Sequence, residues 1–376
     1  MRKILIVIIL ISYKAEAQSS ALAVADSLYA LGNYSKAISV YQKTPKNSLK
    51  IAKCYEALGN LTKAVDFYKA ALQENSKSTI IQYNYAKLLM RARKFESADT
   101  LIRKLIQQQP SNPNFVYQYG LLLEKVNDTT SNKQFARAVA LDANHQEATY
   151  KLARYLTTKR QFAKAKPLLE KALTTNPESF RFLTLQALNY FYTEYYHDAI
   201  TIYEKLQTLG PTNEQMLENL ALCYRGTNRF PDAIETYTIL INTIDDKRSK
   251  WHLGLGQSYL ALREYEKAKR HIEISMALKD LPLEPEYWSL YQMYSRQKKY
   301  KEQIDVLKLI IKENPRNERA HYFLAAATDN FFKNKEEAIP YYEKYLKTFG
   351  EKAVFANYAK QRISDIKTKA HFEKDK

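Results

Sequence analysis

A small residue recurs along this chain at a nearly constant interval, and this period constrains the fold more than any other feature. Eight alanines are separated by 27, 34, 67, 34, 34, 35 and 70 residues, and in the two double intervals Ser131 and Gln303 hold the alanine position. The marker alanines are Ala37, Ala64, Ala98, Ala165, Ala199, Ala233, Ala268 and Ala338. A sustained period of 34 residues is typical of stacked supersecondary units, so we expect a repeat protein.

The repeat at 181–213 shows what each position does. Ala187 and Tyr190 are three residues apart, and Ala199 and Tyr203 are four apart. This is the spacing of a buried helical stripe, and it predicts two amphipathic helices, here termed helix A and helix B. Pro211, which cannot continue a helix, follows the second. Since no stretch alternates with period two, no strand is expected.

An aromatic residue recurs three positions before the marker and predicts the start of helix B. Gly32-Asn33 and Gly59-Asn60 precede helix B in the first two repeats and supply turn chemistry. The aromatic residues are Tyr34, Phe95, Phe162, Tyr196, Phe230, Tyr265 and Tyr300.

This pattern resembles the tetratricopeptide repeat family, in which A-x-x-x-Y/F is followed by proline and preceded by a helix with a small residue and a tyrosine or leucine. The helix A pairs are Ala52 with Tyr55, Ala86 with Leu89, Ala153 with Leu156, Ala221 with Tyr224, and Gly256 with Tyr259. The resemblance implies an all-α, right-handed superhelical solenoid of about ten helix-turn-helix repeats within residues 18–350.

Two repeats depart from the pattern, and the chain continues beyond the last one. In the repeat at 113–145 the turn 127–130 is one residue short, and in the repeat at 319–350 Asp329 stands where an aromatic is expected. We predict a capping helix at 351–366 and a disordered tail at 367–376. The residues expected to form the apolar stripe of the cap are Val354, Phe355, Tyr358, Arg362, Ile363 and Ile366.

The first 17 residues have the layout of a secretory signal peptide. Arg2-Lys3 precedes an apolar run at 4–11, and Ala15-Glu16-Ala17 forms an A-x-A cleavage site before Gln18. A membrane anchor would need about 20 apolar residues, and this run is shorter. We therefore expect export, with the periplasm of a Gram-negative bacterium as the destination and secretion as the alternative.

The composition of the chain limits the kinds of binding partner that are expected. The net charge of +18 favours acidic proteins, anionic envelope glycans or phospholipid head groups, against the alternative of a solvated lysine-rich surface. No nucleic-acid partner is expected, because no RNA-binding motif is present. The two cysteines, Cys54 and Cys223, hold equivalent positions in repeats five apart. They are too far apart in a solenoid to form a disulfide, and we expect small buried hydrophobic residues.

No motif indicates catalysis, a metal or a cofactor. The six histidines are scattered, without H-E-x-x-H or an i, i+4 pair. Gly254 and Gly256 begin like a dinucleotide loop, but Tyr259 stands at the third glycine position. Phosphate-loop and nucleophile-elbow motifs are missing from the sequence. We therefore expect a protein that is not an enzyme.

The resemblance implies that helix A of each repeat lines a concave groove. The middle of this groove combines tyrosines with basic residues, a pairing that is frequent at binding hot spots. The asparagines that clamp a peptide carboxylate in some relatives are replaced here, for example by Lys53 and Lys87. The candidate partner-binding residues are Lys53, Tyr83, Lys87, Arg91, Tyr117, Tyr150, Arg154, Phe191 and Tyr192.

These observations favour a non-catalytic, exported scaffold that binds a protein or peptide through the groove of a repeat superhelix. No cofactor is expected. The alternative is an adaptor that binds anionic glycan or lipid through its basic faces. High salt would weaken the second much more than the first.

Overall fold

Helical hairpins follow one another because each repeat supplies two amphipathic stretches joined by a short turn. The computed structural model describes residues 21–374, and within that range it contains helices and no β-strand. Ten A–B hairpins and a final helix account for the described chain. The helices are α1 (21–30), α2 (Tyr34–Tyr41), α3 (Ser48–Ala57), α4 (Leu61–Glu74), α5 (Thr79–Arg91), α6 (Phe95–Gln108), α7 (Pro113–Lys125), α8 (Ser131–Leu141), α9 (Gln146–Thr158), α10 (Phe162–Thr175), α11 (Phe180–Tyr192), α12 (Tyr196–Leu209), α13 (Glu214–Gly226), α14 (Phe230–Thr243), α15 (Ser249–Ala261), α16 (Tyr265–Ala277), α17 (Glu284–Arg296), α18 (Tyr300–Glu313), α19 (Glu318–Phe331), a 3-10 turn (Lys335–Ala338), α20 (Ile339–Phe349) and α21 (Ala356–Lys374).

The recurring aromatic residue begins helix B, as the sequence predicts. All seven of these residues are the first residue of their helix, for example Tyr34 in α2 and Tyr300 in α18. The signal peptide predicted at 1–17 lies outside the described residues. The handedness of the predicted superhelix stays a prediction.

The marker alanines lie where helix A and helix B touch. All eight have no exposed surface. In the hairpin of α15 and α16 the approach is so close that a Cβ at Gly256 would lie 2.9 Å from Cγ1 of Ile272 and 3.1 Å from the carbonyl oxygen of Ala268. The period in the sequence is therefore the period of helix contacts.

The turn between helix A and helix B uses the left-handed backbone region in nine hairpins. Glycine supplies it only in the first two, at Gly32 and Gly59, with φ of 77° and 73°. Non-glycine residues adopt the same conformation later in the chain, where it is sterically costly for an L-residue. They are Arg93, Asn127, Arg160, Glu194, Asn228, Arg263 and Lys298.

The chain divides into two compact units, one up to Leu185 and one from Gln186 onwards, and the division falls within α11. In the first unit, Tyr68 of one hairpin stacks on Tyr85 of the next, with ring centroids 5.8 Å apart. In the second unit, Asn219 donates a hydrogen bond of 2.9 Å to the buried hydroxyl of Tyr203. Aromatic side chains thus join successive repeats in both units.

Two hairpins depart from the regular pattern. Helix α8 has 11 residues against 14 in α6, because it begins at the marker position Ser131 itself. The predicted shortage of one residue is confirmed, since Ser131 lies four residues after the left-handed Asn127, whereas Ala98 lies five residues after Arg93. The first turn of helix B is missing at this point. There, Asp128 accepts a hydrogen bond of 2.8 Å from the amide of Thr130, which competes with helical bonding.

The hairpin of α17 and α18 lacks both small residues. Tyr291 occupies the helix A position that is alanine or glycine elsewhere, and Gln303 occupies the marker position. Gln303 is buried, and its amide donates a hydrogen bond of 3.3 Å to the carbonyl of Tyr294. The Tyr291 ring stacks on Phe323 of the following hairpin.

Helix α21 covers the end of the second unit, and its bounds differ from the prediction. It begins at Ala356, five residues later than predicted, and extends to Lys374, so residues 367–374 are helical where a disordered tail was predicted. Ile366 is buried against the cluster that contains Tyr345, whereas Val354 and Tyr358 are 74% and 68% exposed. The assignment of those two residues to the buried stripe was therefore wrong. Val354 precedes α21, and Tyr358 lies in its first turn.

The two cysteines are buried and unpaired, as expected. Neither thiol has exposed surface. Burial raises the pKa of both thiols, that of Cys223 to about 12. Both therefore stay protonated at neutral pH and pack as small apolar groups.

Candidate partner-binding site

Three tyrosines at the same helix A position form a row in the first unit. Tyr83, Tyr117 and Tyr150 lie on α5, α7 and α9, and each is partly exposed. Each ring packs against an aromatic ring of the following hairpin. The ring centroid of Tyr83 lies 5.5 Å from that of Phe115, and that of Tyr117 lies 5.0 Å from that of His145. The tyrosine row is therefore held in place by the repeat stacking itself.

The hydroxyl groups of Tyr83 and Tyr117 stay protonated at physiological pH. Burial raises the pKa of Tyr83 above its ordinary value. Burial is also the main cause of the raised pKa of Tyr117, with the nearby carboxylates of Glu147 and Glu124 adding to it. These two tyrosines thus offer neutral hydroxyl donors beside apolar ring faces.

Two exposed lysines, Lys53 and Lys87, occupy the same helix A position in successive repeats. The ammonium of Lys87 lies 5.6 Å from the ring centroid of Tyr83, one turn away on the same helix. Lys53 holds the equivalent position on α3, and both lysines are exposed. Among residues 21–374, neither lysine forms an ion pair with a carboxylate. These two ammonium groups are available to a ligand.

The arginines of the predicted site are exposed but already paired. Arg91 forms an ion pair with Glu56 of the preceding hairpin. Arg154 pairs with Glu124 of its preceding hairpin at 3.1 Å, and Lys151 pairs with the same carboxylate at 2.5 Å. In the predicted basic patch, the arginines are therefore neutralised by glutamates of the preceding hairpins. The positive charges of this patch without a carboxylate partner among the described residues are those of Lys53 and Lys87.

One residue of this surface was not singled out by sequence. Arg181 donates two hydrogen bonds to the carboxylate of Glu147, at 2.9 and 2.6 Å, and its guanidinium carbon lies 4.9 Å from the ring centroid of Tyr150. The hydrogen bonds from Arg181 lower the pKa of Glu147. The sequence did contain a signal for this pair. Glu147 and Arg181, which have opposite charges, occupy the same helix A position in successive repeats, six residues before Ala153 and Ala187.

The remaining two predicted residues belong to the second unit. Phe191 and Tyr192 lie at the end of α11, with ring centroids 5.2 Å apart. Tyr192 is 47% exposed. The candidate site in the first unit therefore consists of the seven predicted residues from Lys53 to Arg154, to which the structure adds Arg181.

The histidines are less scattered than expected. His252 and His271 face each other with their Nδ1 atoms 3.1 Å apart, and Nε2 of His252 lies 2.9 Å from the carbonyl of Asp246. Burial, the neighbouring His252 and then Arg270 lower the pKa of His271 to about 4. In the described part of the chain, no three histidine, cysteine or acidic residues are grouped to hold a metal ion. The pair is a buried polar contact between α15 and α16.

No helix within residues 21–374 combines the length and the apolar character needed to span a membrane.

Comparison with protein families gives three matches. Profiles described as tetratricopeptide repeat match residues 22–79 and 55–117, and a profile described as the N-terminal TPR repeats region of Psidin matches residues 155–288. Among curated proteins, the DnaJ homolog subfamily C member 7 homolog of Dictyostelium discoideum is 26% identical over 208 residues, or 55% of this chain. The match spans 35% of that relative, about a third of its length.

Three solved structures have a backbone similar to that of this chain. A tetratricopeptide repeat protein from Parabacteroides merdae is 17% identical, with 67% of this chain and 98% of that chain covered and a TM-score of 0.42. YrrB, described as a TPR protein with an unusual peptide-binding site, is 14% identical over 50% of this chain and 96% of its own, with a TM-score of 0.44. Yeast Tom70 is 13% identical over 95% and 97%, with a TM-score of 0.39.

Proposed function

Because this chain belongs to the tetratricopeptide repeat family, we propose that it is a non-catalytic scaffold that binds a protein or peptide partner. The observation that carries the proposal is the tyrosine row of the first unit, with the unpaired ammonium group of Lys87 beside Tyr83 and that of Lys53 at the equivalent position of α3. The helices of this row therefore present aromatic ring faces, hydroxyl donors and positively charged ammonium groups. This combination suits a polypeptide with acidic and apolar side chains.

The site recognises its partner through a surface that is ordered before binding. The tyrosine rings are fixed by stacking on the next hairpin, and Arg154 and Arg181 are fixed by their ion pairs with Glu124 and Glu147. Little side-chain entropy is therefore lost when a partner arrives. The net charge of +18 steers acidic partners toward the protein, and Lys53 and Lys87 supply the direct contacts.

The partner-binding role is tested by cross-linking in the native host. Benzoylphenylalanine in place of Tyr83 or Tyr150 is expected to capture a partner protein, because both rings are partly exposed in the row. The same group in place of Lys171, which is exposed on helix B α10, serves as the control and should capture none. Equal adducts at all three positions would count against a specific site.

The identified partner is then measured against charge-reversed variants. The double variant Lys53→Glu, Lys87→Glu should weaken its binding by about tenfold or more at low salt, with a smaller loss at high salt. Lys171→Glu makes the same kind of change away from the row and should leave the affinity within about twofold. An unchanged affinity of the double variant would remove the lysines from the site.

Export is part of the proposal. The sequence of residues 1–17 supports cleavage after Ala17, which would leave a mature chain that begins at Gln18. Mass spectrometry of the protein purified from envelope extracts of its host should show this mature mass. A population that retains Met1 would contradict export through this segment.

A further inference from the structure

Five aromatic rings form a continuous surface on the second unit, here called the aromatic surface. Its members are Trp288 and Tyr291 on α17, Tyr322 and Phe323 on α19, and Phe355 just before α21. Tyr291 stacks on Phe323 with ring centroids 5.5 Å apart, and Trp288 meets both rings by its edge. Tyr322 stacks on Phe355 at 4.4 Å, and Phe355 lies 6.0 Å from Phe323.

The aromatic surface is partly open to solvent. All five rings are only partly buried. Val354, which directly precedes Phe355, is 74% exposed, and Tyr358 is 68% exposed. A contiguous apolar patch of this kind marks an interaction site more often than scattered apolar residues do. Its sequence signal was the large Tyr291 at a position that is small in the other repeats.

Arg319 gives the surface a positive charge without a carboxylate partner. Its guanidinium carbon lies 5.0 Å from the ring centroid of Trp288 and 5.3 Å from that of Phe323. No ion pair of Arg319 occurs within residues 21–374, whereas Arg91, Arg154 and Arg181 of the first unit are each paired with a glutamate. The guanidinium is held by ring faces, and its N–H groups are left for another acceptor.

Two acidic residues near Arg319 in the hairpins of the surface, Glu284 and Glu318, form hydrogen bonds with other groups. Glu284 accepts hydrogen bonds from the indole of Trp288 at 3.1 Å and from Asn317 at 2.7 Å. Glu318 accepts hydrogen bonds of 2.7 Å from the hydroxyl of Tyr345 and from the amide of Val354. Both carboxylates therefore fix the surroundings of the surface and do not neutralise Arg319.

We propose that the aromatic surface and Arg319 bind an acidic peptide segment in which an aspartate or glutamate adjoins an aromatic or large aliphatic residue. The carboxylate accepts two hydrogen bonds from the Arg319 fork, and the apolar side chain packs on Trp288 and Phe323. Stacking on the rings pre-orients the guanidinium, which strengthens the interaction. The inference rests on the proposed peptide-binding function and deepens it with a second site of stated chemistry.

A displayed library of random 12-residue peptides, selected on the full-length purified chain, tests this chemistry. Enriched peptides should carry an acidic residue within two positions of an aromatic or large aliphatic one. Synthetic copies should change the tryptophan fluorescence and protect it from acrylamide, because Trp288 is partly exposed while Trp251, the other tryptophan, is fully buried.

Two arginine variants decide whether Arg319 binds the carboxylate of the peptide. Arg319→Gln should weaken the selected peptides by about tenfold or more. Arg316→Gln, an equally exposed position three residues earlier, should leave affinity within about twofold. Circular dichroism and melting of both variants should match the parent chain, so that a loss of binding is not a loss of folding.

The outcomes separate this inference from the proposed function. Peptides that bind the parent chain and Arg319→Gln equally but fail on Lys53→Glu, Lys87→Glu would overturn the inference and leave peptide binding in place. Enriched peptides without acidic residues would overturn it as well. If no peptide is enriched on the parent chain, both the inference and a peptide-binding function of this chain are contradicted.

Discussion

Replacing Arg362 with alanine is expected to lower the free energy of unfolding of the second unit by about 3 kcal/mol. Arg362 on α21 donates hydrogen bonds of 2.6 and 3.1 Å to the carboxylate of Asp329 on α19. The Asp329 side chain is only 8% exposed, so the variant leaves a nearly buried carboxylate without its cation. The expected loss is at the lower end of the range for buried pairs, because the Arg362 side chain is 42% exposed. The hydroxyl of Tyr342, 3.3 Å from the carboxylate, remains as a partial partner.

Chemical denaturation followed by tryptophan fluorescence measures this loss. Both tryptophans, Trp251 and Trp288, belong to the second unit, so the signal reports on that unit. Lys360→Ala is the matched control, because Lys360 lies on the same helix and pairs at 2.9 Å with Glu351, whose side chain is 84% exposed. The control should cost less than about 1 kcal/mol. Equal midpoints for the two variants would mean that Asp329 does not anchor the final helix.

Ala199→Leu is expected to destabilise the second unit by about 1–3 kcal/mol. Ala199 has no exposed surface, and it lies at the contact of helix A and helix B in its hairpin. Three added carbon atoms would have to displace packed neighbours or move α12 away from α11. The same fluorescence-detected denaturation measures the effect.

The matched control for this overpacking introduces leucine on the same helix at an exposed position. Thr201→Leu adds a similar apolar side chain to α12, but toward solvent. It should change stability by about 0.5 kcal/mol or less. If Ala199→Leu and Thr201→Leu unfold at the same denaturant concentration, the marker position can accommodate a larger side chain, and its assignment as a tight helix contact is wrong.

Sequence spacing was sufficient for the repeat architecture. The interval between marker alanines predicted ten hairpins, and the aromatic three residues earlier predicted where helix B starts. Both inferences hold because they depend on helix periodicity and on contacts between neighbouring helices, which are local in the chain. Where the local pattern changes, at Asp128 to Thr130, the sequence indicated the shorter turn but not the loss of the first turn of helix B, where side-chain bonds to the backbone replace helical bonds.

The turns show the limit of local reasoning. Glycine predicted the left-handed residue at Gly32 and Gly59, yet Arg93 and Lys298 adopt the same backbone conformation. No property of arginine or lysine favours that region. The packing of helix A on helix B fixes the path of the connection, and the residue at that point adopts the required angles.

The sequence by itself therefore determined the helices, their pairing into hairpins and the positions that pack between them, and it identified the tyrosines of the candidate site. Only the tertiary structure decided which charges are free. Arg91 and Arg154 are paired with glutamates 35 and 30 residues earlier, whereas Arg319 rests on two aromatic rings without a carboxylate. The charge available at a surface depends on distances between atoms of successive hairpins, and side-chain geometry across that separation is not encoded in the periodicity of one repeat.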